Sequence, residues 1–82
     1  MFPKKTKEFE WVRTGDAYVL FDPVTNENFN LDPMSFIIWL QCDGKTSIDE
    51  IVDLLSAENN QDIIKAAVSG IIERLKQNGI IK

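Results

Sequence analysis

Between Asn28 and Ser47, NFNLDPMSFIIWLQCDGKTS, the apolar period changes from that of a strand to that of a helix. Few chain paths survive that switch. Phe29 and Leu31 alternate with Asn28 and Asn30, the pattern of a half-buried strand. Asp32 then offers an N-cap side chain, and Pro33 stands at the first helical position, where a missing N–H costs nothing. Met34–Leu40 is apolar nearly all round, which predicts a helix buried on every side and serving as the peg of the core. Asp43-Gly44 ends it, and Thr46 and Ser47 start the next helix.

Upstream, Phe9 and Trp11 alternate with Glu8, Glu10 and Val12, a first strand ending near Arg13 at the turn signal Thr14-Gly15-Asp16. Ala17–Asp22, AYVLFD, has the content of a strand covered on both faces. Pro23–Asn26 is a second turn, and Glu27–Leu31 is the third strand. Connections this short join antiparallel neighbours, so the sheet is expected to be a meander. That order leaves the third strand at an edge with unpaired backbone groups. No lysine, proline or glycine blunts it between Asn28 and Leu31.

Downstream, Ser47-Ile48-Asp49-Glu50 reads as a capping box, and Ile48, Ile51, Val52 and Leu55 form one apolar helical face. A polar break, Glu58–Gln61, precedes a last helix from about Gln61 to Asn78 that stops at Gly79. Ile80 and Ile81 are expected to fold back on the core or add a short strand. On a helical wheel Ile64, Val68, Ile71 and Leu75 make the core stripe, while Ile63, Ala67 and Arg74, with Gly70 beside them, share one shoulder. Close approach of another backbone would explain a glycine at position 70, and so would simple tolerance.

Eighty-two residues make one α+β domain. Lys4, Lys5 and Lys7 predict a flexible basic tail over residues 1–8, ahead of a domain over 9–82, and residues 8–82 carry all thirteen acids. So acidic a body repels phosphate backbones. With no histidine and a single cysteine, Cys42, the chain has no catalytic residue, metal-ligand set or cofactor site that the sequence brings forward. No apolar run reaches the length of a membrane span, and Met1–Lys7 lacks the apolar core of a signal peptide, so a cytoplasmic protein is expected. Strands followed by three helices suggest a winged-helix relative. A DNA-reading version needs a basic recognition helix and a wing hairpin. Lys65, Arg74 and Lys76 are offset by Asp62 and Glu73, and the chain ends three residues after Gly79.

Tyr18–Pro23, Phe29–Asp32, Phe36–Trp39, Asp43–Ile51 and Leu75 through Gly79-Ile80-Ile81, in this order and spacing, resemble the PqqD family over roughly residues 11–82. The family commonly has asparagine where this chain has Asp32, and both residues cap helices. The resemblance implies a truncated winged helix-turn-helix with an N-terminal three-stranded antiparallel sheet followed by three α-helices. It also implies a non-catalytic peptide chaperone: a recognition element that binds the leader of a ribosomally synthesised precursor peptide and presents it to a radical SAM enzyme or a leader protease. The leader is expected to add as a strand along Glu27, Asn28, Phe29, Asn30, Leu31 and Asp32. Ile63, Ala67, Gly70 and Ile71 line its groove, and Arg74 meets an acidic or carbonyl group. The runner-up is a winged-helix DNA-binding regulator or a structural adaptor that dimerises through the edge strand.

Overall fold

The structure, a computed structural model, describes residues 2–56 and 60–82. Its elements are β1 (Glu10–Thr14), β2 (Ala17–Phe21), β3 (Asn28–Leu31), α1 (Pro33–Leu40), α2 (Ile48–Leu55) and α3 (Gln61–Gln77). The sheet is the expected antiparallel meander, β1-β2-β3. Part of the polar break, Glu58 and Asn59, lies outside the described residues.

Local chemistry explains the boundaries. Gly15, with φ 62°, occupies the first central position of the two-residue loop joining β1 to β2, a conformation that favours glycine. The β2–β3 turn is held by Asp22, whose Oδ1 accepts from Val24 N at 2.8 Å and whose Oδ2 accepts from Lys7 Nζ at 2.6 Å. Asp32 caps α1 by accepting from Ser35 N at 2.7 Å. Ser47 and Glu50 form both bonds of the capping box on α2. At the end of α3, Gly79 N donates to Lys76 O and Ile80 N to Leu75 O, a Schellman closure around a left-handed glycine with φ 77°.

The core lies between one face of the sheet and the helices. Leu20, Leu31, Phe36, Ile38, Trp39, Ile51, Val68, Ile72 and Leu75 fill it. Tyr18 stacks on Phe36, with ring centroids 3.9 Å apart and planes nearly parallel.

Three expectations are corrected. The helix α1 is not buried all round: Ser35, Phe36, Ile38 and Trp39 face inward, whereas Met34, Ile37 and Leu40 are each about two-fifths exposed. Among the described residues, helix and sheet neighbours cover one side of α1, and no layer covers the other. The strand β2 is covered less fully than expected on either face, since Tyr18 beside Leu20 is also only half-buried. Leu20 is buried, and Ala17, Val19 and Phe21, which alternate with it, are half-buried.

The third correction concerns the basic tail over residues 1–8, which is docked from residue 3 onward. Pro3 is buried, and Pro3 O accepts from Gly44 N. Lys4 exchanges two backbone bonds with Lys82, Lys5 N donates to Cys42 O, and Thr6 N donates to Ile80 O. The backbone pairing brings Ile81 opposite Lys5 and buries both Ile80 and Ile81. Lys5 Nζ lies over the Trp39 ring and donates to Cys42 O, so its positive charge meets the C-terminal carbonyls of α1.

Candidate functional site

The bonding pattern of β3 follows from a single contact. Asp22 N donates to Glu27 O at 3.0 Å, straight across the register, which puts this position in the hydrogen-bonded phase of the ladder although Glu27 N turns to Thr25 Oγ1 instead of returning the bond. Hydrogen-bonded pairs alternate along an antiparallel ladder. In the observed register the next two are Leu20 with Phe29 and Tyr18 with Leu31. Phe29 and Leu31 therefore turn their backbone groups toward β2, as Glu27 does its carbonyl, and Asn28 and Asn30 turn theirs to the open edge. Among the described residues, nothing outside the sheet bonds to the backbone of Asn28 or Asn30.

A trough of about 120 Å³ runs beside this edge, lined by Asn30, Leu31, Asp32, Ser35, Ile71, Arg74, Leu75 and Asn78. Its floor is apolar, because Leu31, Ile71 and Leu75 are buried core residues seen from outside. Its rim is polar. The hydrogen bonds from Ser35, and then the nearby positive charge of Arg74, hold the Asp32 carboxyl below its ordinary range. The site thus offers unpaired backbone donors and acceptors, a mostly polar slot over an apolar floor, and one cation paired loosely with one anion.

Five expected residues meet here: Asn30, Leu31, Asp32, Ile71 and Arg74. Asn28 extends the same edge, while the half-buried Phe29 packs on the core. Glu27 lies at the mouth of the strand, its carbonyl already bonded to β2 and its carboxylate accepting from Thr25 Oγ1. Ile63, Ala67 and Gly70 are exposed farther toward the start of α3 and do not line the trough. Ile63 through Asn78 form a stripe about 22 Å long on the helix. A Cβ on Gly70 would meet nothing within 4 Å, which removes close backbone approach as its reason.

Sequence reasoning missed Ser35, Leu75 and Asn78 as lining residues. Ser35 was the one polar residue inside an apolar run. Asn78 continues the shoulder one turn past Arg74, and following that stripe to the helix end finds it.

The remaining chemistry is spare. Cys42 is buried, donates Sγ–H to Ile38 O, and has its pKa pushed up to about 11 by burial, so it is a thiol rather than a nucleophile at neutral pH. Among the described residues no cluster of metal-ligating side chains occurs, and no helix is long and apolar enough to cross a membrane. A second hollow of about 360 Å³ lies along the docked arm, between Lys4–Glu8 and Cys42-Asp43, away from the open edge.

Comparison with known proteins agrees with the architecture. The family model described as coenzyme PQQ synthesis protein D (PqqD) matches residues 17–81. Among solved structures, TbiB1, determined in complex with the TbiA(beta) leader peptide, superposes with a TM-score of 0.74 and covers 96% of this chain and 94% of its own, at 18% sequence identity. At that identity the likeness is one of fold. No curated protein matches the chain.

Proposed function

The chain belongs to the PqqD family, and from that premise we propose that it is a non-catalytic, cytoplasmic chaperone for the leader of a ribosomally synthesised precursor peptide. The leader adds as a fourth, antiparallel strand on β3 and is presented to a separate modifying enzyme, a radical SAM enzyme or a leader protease. The observation that carries this reading is the unclaimed backbone of Asn28 and Asn30 beside an apolar-floored trough. The leader-bound state of the structural neighbour TbiB1 supports it.

Strand addition divides the labour. Backbone bonds to Asn28 and Asn30 hold an extended peptide whatever its sequence, and alternate side chains select it. One set enters the slot over Leu31, Ile71 and Leu75. Arg74 meets a carboxylate or carbonyl, and Ile63 and Ala67 receive the peptide farther along α3. A contact of this size binds at about micromolar strength, about −8 kcal/mol, which suits presentation followed by release.

The test is titration with the synthetic leader of a candidate precursor peptide. Asn30→Pro removes an N–H that faces the edge and no bond to β2, so binding should fall more than tenfold with the fold retained. Unchanged affinity would rule out strand addition at β3. Ala67→Glu should weaken binding where the leader extends along α3. An unaltered titration would confine the peptide to the trough.

A further inference from the structure

The sheet has a second open edge at β1, and we infer that two copies of this chain pair there, antiparallel, through Glu10–Thr14. All five residues are exposed, with Trp11 at 47% and Val12 at 48%. The two-residue loop makes Thr14 and Ala17 a bond-exchanging pair, and in the observed register Val12 with Val19 and Glu10 with Phe21 follow. Trp11 and Arg13 therefore turn their N–H and C=O groups away from the sheet. Among the described residues no other segment bonds to them. The docked arm does not cover them either, because Phe9 turns under the sheet to pack against Phe29 and Trp39.

The chemistry of the strand selects a second copy as the occupant. Only Trp11 and Arg13 have outward groups, so a symmetric antiparallel partner has three registers. Placing Arg13 opposite its own copy sets like charges together. Placing Trp11 opposite itself leaves Arg13 and Thr14 beyond the end of the partner strand. Centring the two-fold axis on Val12 pairs the whole strand: Trp11 faces Arg13 of the other copy twice, and Glu10 faces Thr14 twice. No like charges are opposed, while Trp11 keeps its packing on Phe36 and Tyr18 and Arg13 its bond to Gly15 O. The result is a six-stranded sheet with β3 of each copy at an outer margin, so both troughs stay open.

Sedimentation equilibrium from about 1 µM to about 1 mM tests the association. The account expects a reversible monomer–dimer equilibrium in which Arg13→Pro weakens the dimer by about tenfold or more, while Asn30→Pro leaves it intact. Val12→Cys tests the register without requiring a proline. At the two-fold axis its Cα atoms would stand about 4.5 Å apart, within disulfide range, so mild oxidation should yield a covalent dimer. Val24→Cys, at a far more exposed position, should not cross-link at that rate. A monomer throughout the range, equal cross-linking at Val24, or a dimer lost in Asn30→Pro and kept in Arg13→Pro would overturn the inference. Leader titration of the same variants is a separate readout, and it should be unchanged by Arg13→Pro.

Discussion

Asp32 and Arg74 stand on opposite walls of one trough, the carboxylate at the N-cap of α1 and the guanidinium in the last turn of α3. Neither forms a close ion pair with the other, so each keeps capacity for a guest while its charge limits what can enter. Arg74→Glu should weaken leader binding by about tenfold through repulsion from Asp32 and loss of the donor, with little change in stability at an exposed position. Isothermal titration beside a urea melt separates the two effects. Asp32→Ala should instead cost about 1 kcal/mol of stability, the usual worth of an N-cap.

Acid should unfold the protein through Asp22. The hydrogen bond from Lys7, then those from Val24 and Thr25, lower its pKa from 3.8 to about 2. A carboxyl whose folded pKa is depressed stabilises the fold above the unfolded value and loses that contribution as pH falls from about 4 toward about 2. Urea midpoints measured across this window should drop in the native chain and drop less in Asp22→Asn, which starts lower. Lys7 has the opposite sign. Its pKa is raised, chiefly by the same bond, so its share is present at neutral pH and is lost only as strong alkali deprotonates it.

Removing residues 1–6 should cost about 2–5 kcal/mol, because it strips the backbone bonds to Lys82, Cys42, Ile80 and Gly44 and uncovers the surface that Pro3 buries. A freely solvated tail would leave the melting temperature unchanged.

Gly70→Ala should stabilise the chain by about 0.5–1 kcal/mol, since the added methyl meets no neighbour and the helix loses its least favourable interior residue. A thermal melt decides the sign, and destabilisation would show that the added methyl meets a neighbour in the free fold after all.

What the sequence made legible was local. Asp32 with Ser35, Ser47 with Glu50, and Gly79 after Asn78 announce their helix ends because cap and target lie within a few residues. The meander followed from short connections, and the open edge followed from the meander. The burial of α1 was overestimated because an all-apolar helix says nothing about how many neighbours surround it. The arm was misread because the bond between Lys4 and Lys82 spans nearly the whole chain. Within the site, Ile71 and Arg74 came from the helical wheel. Ser35, Leu75 and Asn78 depend on where α3 crosses β3, which no periodicity encodes.

Amide hydrogen exchange, followed residue by residue before and after adding the leader, addresses the proposed strand addition most directly. In the free protein Phe29 and Leu31 should already be protected by β2, and Asn28 and Asn30 should exchange quickly. Saturating leader should slow Asn28 and Asn30 by about tenfold or more. If the leader binds while these two amides exchange as fast as before, the peptide does not join the sheet at β3.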